Sequence, residues 1–279
     1  MNKQIWVNPV GLNRQQLEAA LRAGRKNTYL PFCLYLVSSV DSTNQTLWKL
    51  LDEGAQPGCA VIATQQTAGR GQWGRQWVSA PGGLYLSLLL APNIEASNSY
   101  QLTFATAWGI SYQLRESGIN VGIKWPNDLV INQRKLGGIL TETKVNQGVI
   151  TQAIVGVGIN WTNPVPETGI NLEMWQAAKD PKPISSLEML AAKVLLGIEC
   201  GIQCLFEEGV NILLARYLEL LANVGDRVCI NDLAGTVVGV KSTGELRVRL
   251  QTSESLTEIT PEIYLQPGTI SLGYSKLSG

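Results

Sequence analysis

Three short segments hold residue types that could act on an anionic ligand. The first is Gly69-Arg70-Gly71-Gln72-Trp73-Gly74-Arg75, preceded by Gln65-Gln66-Thr67-Ala68. Its glycines let a backbone approach a ligand closely, and Arg70 and Arg75 supply cations for a carboxylate or phosphate. It lacks the Gly-Lys-Ser/Thr of a Walker A loop and the following helix of a dinucleotide fingerprint. Alone it reads equally as a mobile surface loop. The second segment is Lys124-Trp125-Pro126-Asn127-Asp128, with Lys135-Leu136-Gly137-Gly138-Ile139-Leu140 close behind. A Lys and an Asp at a strand end suit phosphate and Mg2+ respectively. A hairpin with solvated turn residues is the plainer alternative. The third, Gly156-Val157-Gly158-Ile159-Asn160, fits close ligand approach and tight strand packing equally well.

The chain contains no histidine. A Ser-His-Asp triad, a Cys-His pair, an HExxH zinc site and a histidine general base are therefore all excluded. Catalysis would run on Lys, Arg, Asp, Glu, Asn and backbone amides, with any metal held by oxygen. Cations, one carboxylate and glycine-lined strand ends suit activation of a carboxylate by a nucleoside triphosphate. That chemistry needs charge neutralisation and in-line positioning more than it needs a general base.

The elements that must hold these segments follow from pattern. Asn13 caps a helix over Arg14–Arg25, expected to be a surface or partner-facing element. Phe32–Val37 reads as a strand, and Asp41-Ser42-Thr43-Asn44 starts a helix whose apolar face is Leu47, Leu50 and Leu51. Strands follow at 60–64 and 84–91, then a helix over Ala96–Glu116 with Leu102, Ala105, Gly109 and Tyr112 at helical spacing. Four more strands are expected at 122–125, 129–132, 136–144 and 150–159, then a Pro-rich loop over 161–183 and helices over 186–208 and 210–221. Beyond Leu221 the texture changes to short alternating segments at 227–230, 235–240, 245–250 and 256–259, which suggest a small antiparallel barrel. The expected class is α/β (α+β): a mixed sheet with helices over 1–222, then a small barrel over 223–279.

Lys+Arg and Asp+Glu both number 22, and charged residues are only 16%. That balance argues against bulk electrostatic attraction to nucleic acid or anionic membranes. The five scattered cysteines read as reduced thiols of a cytoplasmic protein, with Cys200 and Cys204 as core residues. The opening residues lack a signal-peptide pattern, and Met189–Phe206, the longest apolar stretch, carries Lys193 and Glu199. It is not expected to cross a membrane.

Ser42-Thr43-Asn44, Gln66-Thr67-Ala68-Gly69-Arg70-Gly71, Lys124-Trp125-Pro126-Asn127-Asp128, Lys135-Leu136-Gly137-Gly138-Ile139-Leu140 and Gly156-Val157-Gly158-Ile159-Asn160 occur in the order and spacing of the biotin protein ligases. The resemblance runs from about residue 35 to 165, and the C-terminal barrel resembles that family's SH3-like domain. It implies a two-step reaction. Biotin and ATP give biotinyl-5'-AMP and pyrophosphate, and the biotinyl group then passes to a lysine of a carrier protein.

Carried over by residue, the resemblance places Ser42, Thr43, Asn44, Gln66, Gly137 and Gly138 in the biotin pocket, with Arg70, Gly71 and Gln72 folding over biotin and the adenylate. Lys135 would contact the biotin carboxylate and the α-phosphate, and Lys135, Arg70 and Lys124 would be catalytic. Lys124, Asn127 and Asp128 would form the phosphate and Mg2+ region, with Asp128 on the metal and Asn160 on the nucleotide. Trp77 is read either as stacking on adenine or as a plain core tryptophan. The implied partner is the biotin carboxyl carrier protein of acetyl-CoA carboxylase, with no DNA, no membrane, and a monomer or homodimer. Only about 35 residues precede the first matching strand, too few for the winged helix of the repressor members, so a monofunctional ligase is expected. Many members have Arg where this chain has Gln72. The rival readings are a lipoate or octanoate ligase or transferase of the same superfamily, a biotin-sensing DNA-binding regulator, and a non-catalytic nucleotide-binding module.

Overall fold

The computed structural model describes residues 11–25, 28–230, 233–251, 261–270 and 272–274. Its first sheet has eight strands: β1 (Cys33–Val37), β2 (Cys59–Ala63), β3 (Gly83–Leu90), β4 (Ile94–Glu95), β5 (Gly122–Lys124), β6 (Asp128–Ile131), β7 (Arg134–Asn146) and β8 (Val149–Asn160). The order across the sheet is β1-β2-β3-β8-β7-β6-β5, with β4 beside β8. β1 and β2 run parallel, and the other pairs are antiparallel. Around it lie helices α1 (Arg14–Gly24), α2 (Thr43–Asp52), α3 (Tyr100–Arg115), α4 (Leu172–Gln176), α5 (Leu187–Gln203) and α6 (Val210–Glu219).

Side chains alternate across a pleated sheet, so each strand divides its residues between two faces. Ala60, Ile62, Leu84, Leu86, Leu88, Val155, Val157 and Ile159 belong to the large core shared with α1, α3, α5 and α6. α3 and α5 approach so closely that a Cβ on Gly109 would lie 1.9 Å from the Gly197 carbonyl oxygen. α3 is buried almost all round, yet Tyr112, placed by spacing with its core positions, is exposed. On the other face Val61, Leu89 and Ile154 pack with Leu47 and Leu50 of α2 in a smaller cluster. Along that face the register continues through Ser87, Gly156 and Leu140, and through Asp128, Gly138 and Gly158. Polar residues and glycines there replace apolar ones, which leaves room for a ligand.

Two expectations need correction. α1 was expected to face solvent or a partner, but Leu17 and Leu21, one helical turn apart, are buried, and the helix packs on α5. Its cap is as expected, since the Asn13 side chain accepts from the Gln16 N–H. The Pro-rich stretch after β8 is not all loop. It contains α4, whose Asn171 side chain accepts from the Met174 N–H.

α5 continues through a single π-helical turn, Cys204–Glu208. The combined span is long and apolar enough to cross a membrane by length and composition, but it is mostly buried in the core. Cys204 is buried, and its sulfur accepts from Arg216 Nη1 at 3.1 Å.

After α6 the chain seals the free edge of β5: Ile123 N–H donates to Leu220 O and Ala222 N–H to Ile123 O, both at 2.7 Å. It then enters a separate antiparallel sheet of β9 (Arg227–Ile230), β10 (Leu233–Val240), β11 (Leu246–Leu250) and β12 (Glu262–Leu265), ordered β12-β11-β10-β9. The strand expected at 256–259 lies outside the described residues. β12 was not expected. It is four residues bounded by Pro261 and Gln266-Pro267, too short for alternation to register.

Candidate active site

The cavity on the α2 face begins at the helix N-terminus, where orphan N–H groups and small polar side chains converge. Thr43 N–H donates to Gln66 Oε1 at 2.8 Å, and the Gln66 amide nitrogen donates to Ser79 Oγ at 2.8 Å. Ser87, fully buried on β3, lies 2.7 Å from Thr43 Oγ1 and donates to Asn44 Oδ1 at 2.6 Å. The amide nitrogen of Asn44 donates to Glu142 Oε2 at 2.9 Å. Gly156 is obligatory beneath this network, because a Cβ there would come within 2.3 Å of Asn44 Oδ1.

The glycine-rich loop forms the rim. Gly71 N–H donates to Arg75 O at 2.7 Å, and Trp77 N–H to Gly69 O at 3.0 Å, so the loop folds back on itself. Trp73 takes a left-handed conformation at φ 54° and sets its half-exposed ring against Gly268 of the C-terminal segment. Arg70 pairs with Glu142 at 2.9 Å. Trp77 lies on Gly138 and Gly158, where a Cβ at Gly158 would meet its indole nitrogen at 2.5 Å. It is therefore neither free nor a plain core residue, since one edge lines the cavity. The indole Nε1 of Trp77 and Oε1 of Gln72 are buried without a partner. Two such orphans on one wall are unusual in a folded protein and mark positions where a ligand would complete the bonding.

The far end is charged. Lys135 Nζ lies 2.7 Å from Asp128 Oδ1 and 5.1 Å from the centre of the Trp77 ring. A β-bulge between Leu129 and Val130 makes this possible: Leu129 pairs with Gly137 and Val130 with Lys135, so Leu136 is the extra residue. The bulge turns Lys135 toward the same face as Asp128 and Gly138. The second carboxylate oxygen of Asp128 accepts from the Tyr274 hydroxyl. Lys124, buried beside them, donates to Gly273 O at 2.7 Å and sits 3.2 Å from the Tyr274 ring centre. Burial lowers the Lys124 ammonium to about 8, Lys135 pushing the same way while Asp128 and Asp226 oppose it. Burial and the Asp128 carboxylate together raise the Tyr274 phenol far above its usual range.

Ser42, Thr43, Asn44, Gln66, Arg70, Gly71, Gln72, Trp77, Asn127, Asp128, Lys135 and Gly138 thus line one cavity, with Leu140 as its apolar side chain on the sheet; Ile139 and Val157 border it too, but their side chains belong to the large core on the opposite face. Three expected site residues are not on its wall. Lys124 is screened by Tyr274. A Cβ at Gly137 would meet Gly158 O at 2.7 Å, so that glycine serves strand packing. Asn160 donates to Lys135 O and Ile170 O, both at 3.3 Å, and so supports the backbone of Lys135. Asn127 lines the wall but spends its amide on Ile139 O at 2.7 Å.

The residues do not form a resident metal centre. Both oxygens of Asp128 are engaged, two lysines flank it, and no group of three His, Cys, Asp or Glu side chains stands together among the described residues. Ser87, Glu142 and Tyr274 escape a reading of motifs. None belongs to a recognisable motif, and only the folded structure reveals its neighbours.

A polar floor, an apolar wall and a cationic end suit a ligand with a hydrogen-bonding head, an apolar body and an acidic tail. Residues 36–160 match the model of the Biotin/lipoate A/B protein ligase family. The bifunctional ligase/repressor BirA of Bacillus subtilis is 38% identical over 145 residues, covering 51% of this chain and 45% of its own length. The biotin--[acetyl-CoA-carboxylase] ligase of Paracoccus denitrificans is 34% identical over 137 residues, or 48% of this chain and 56% of its own. The chain thus spans about half the length of these curated relatives. The solved biotin protein ligase from Aquifex aeolicus in complex with biotin and ATP superposes with a TM-score of 0.66 at 27% identity, covering 87% of this chain and 99% of that one. The mixed sheet, the cavity at its glycine-rich strands and these likenesses agree: over residues 36–160 the chain is similar to the biotin/lipoate A/B protein ligase family.

Proposed function

We propose that this protein activates biotin with ATP, forming biotinyl-5'-AMP and pyrophosphate, and passes the biotinyl group to a lysine of a biotin carboxyl carrier protein. The observation that carries this reading is the joining, in one cavity, of a neutral hydrogen-bonding floor to a lysine-bearing end. The floor suits the cyclic urea of biotin better than the dithiolane of lipoate or a plain octanoyl chain, neither of which has a ring N–H to pair. Leu140 and the Trp77 ring would flank the thiolane and valeryl chain. Lys135 and Arg70 would neutralise charge as the carboxylate oxygen attacks the α-phosphorus and pyrophosphate leaves, the kind of preorganised electrostatic stabilisation that dominates such transfers. Trp77 and Gln72 would supply a donor and an acceptor to the adenylate. Lys124, behind Tyr274, would add positive potential at the end where the phosphates leave, and magnesium would enter on ATP as part of the substrate.

In the second step the carrier's lysine amine would attack the mixed anhydride, forming an amide and releasing AMP. We assign 1–222 to catalysis and 223–279 to a barrel that reaches the site through Trp73–Gly268 and Lys124–Gly273. Five free cysteines fit a cytoplasmic location. Mass spectrometry of a biotin carboxyl carrier domain incubated with the protein, biotin and ATP should show one added biotinyl group. An unmodified carrier would contradict the reading.

A further inference from the structure

Glu142 lies outside the cavity wall, yet it holds two elements that form it, the glycine loop and α2. Its oxygens stand 2.9 and 3.0 Å from Arg70 Nη2 on the glycine loop. Oε2 also accepts from Asn44 Nδ2 at 2.9 Å, at the start of α2, and from Trp48 Nε1 at 3.2 Å, one turn further on.

A carboxylate only accepts hydrogen bonds. Glu142 therefore obliges Asn44 to present its amide nitrogen, which turns Oδ1 toward Ser87. Ser87 has one hydrogen, and it goes to that oxygen across 2.6 Å. Thr43 Oγ1, 2.7 Å from the Ser87 oxygen, takes only a share of that same hydrogen and spends its own on Gln66 Oε1 at 3.1 Å. Gln66 cannot reverse, because its amide nitrogen is committed to Ser79, whose hydroxyl is committed to Trp77 O. The hydrogen of Thr43 is thus consumed within the protein. Thr43 meets a ligand as an acceptor.

We propose that Glu142 is a positioning residue that sets the hydrogen-bond polarity of the pocket floor and so selects a ligand head bearing N–H donors, while fixing Arg70 at the rim. The inference rests on the biotin reading above and names what enforces its specificity. Glu142→Gln keeps the shape but can donate to Asn44, letting that amide reverse. Ser87, no longer sharing its hydrogen with Asn44 Oδ1, would give it wholly to Thr43, and the floor would lose acceptor capacity. Glu142→Asp changes the shape but keeps an acceptor-only group.

The test is biotin binding by titration calorimetry without ATP, on the full chain and on Glu142→Gln, Glu142→Asp, Ser87→Ala and the Gln/Ala double variant, with thermal melts as a folding control. Glu142→Gln should weaken biotin at least tenfold, and Glu142→Asp should recover part of that loss. The double variant should bind within about twofold of Ser87→Ala alone, because the polarity passes through Ser87. If Gln is tolerated as well as Asp or better, or if the two losses add fully, Glu142 is packing and the proposal fails. A folded wild-type chain that binds no biotin would overturn the functional reading and this inference together. Wild-type binding with an unaffected Glu142→Gln would overturn the inference alone.

Discussion

The two ends of the cavity are built on different principles. At the floor, Ser42, Thr43, Asn44, Gln66, Ser79 and Ser87 are neutral, and all but Ser42 bond one another within the first 90 residues, with Glu142 of the same sheet anchoring them through Asn44. At the charged end, Lys124, Asp128 and Lys135 come from one hairpin region, but Gly273 and Tyr274 complete their bonding from the far end of the chain. A neutral network inside one domain recognises shape and hydrogen-bond pattern without movement. A charged cluster shared with a distant segment couples the second sheet to the site. Binding and activation are therefore expected to respond separately to substitution.

The largest separation should come from Lys135→Ala. Loss of a charge-assisted contact made in the transition state lowers adenylate formation by roughly 10² to 10³, with a smaller loss of biotin affinity. Pyrophosphate release near the wild-type rate would remove Lys135 from the mechanism. Lys124→Met should cost less, about tenfold, and should carry a pH signature. In the wild type, adenylate formation should decline as pH rises through about 8, where the buried ammonium loses its proton. Stability should move the other way. Unfolded, this lysine stays protonated to about 10.5, so between about 8 and 10.5 the unfolded chain binds more protons and the Lys124 contribution to stability rises with pH. Lys124→Met should lack that rise, which denaturant melts at pH 7.5 and 9.5 would read. Melts that change in parallel for both proteins would contradict the buried-ammonium account.

A smaller effect is expected from Tyr274→Phe, which keeps the ring on Lys124 and removes the hydroxyl from Asp128. The KM for ATP should rise severalfold, with biotin affinity unchanged. A change in biotin affinity would mean that the two ends are not independent. Gln72→Arg should have the mildest consequence. An arginine can meet the adenylate phosphate with two charged hydrogen bonds where glutamine offers a neutral one, roughly half as strong. Stopped-flow release of preformed adenylate should slow, and equal off-rates would show that residue 72 does not hold the intermediate.

The floor was largely legible in the sequence, because Ser42-Thr43-Asn44 starts a helix and Gly156-Val157-Gly158 alternates at strand period, and both patterns are local. The charged end was legible only in part. Lys135 reaches Asp128 through a bulge whose extra residue, Leu136, looks like any other core leucine. Lys124 meets Tyr274 across a separation of 150 residues, which no periodicity can signal. Glycines were the hardest to assign: Gly138 opens the cavity and Gly137 packs a strand, though they are adjacent and identical in type. α1 misled for a related reason. Its charges are real, but two leucines a turn apart are enough to seat it on the core.

The account stands most directly on the selectivity of the first step. Pyrophosphate release should be followed with ATP and, in turn, biotin, lipoic acid and octanoic acid at equal concentration. The structure predicts release with biotin and little with the other two, because only biotin offers N–H donors to a floor that accepts. Equal release with lipoic or octanoic acid, or none with biotin, would contradict it.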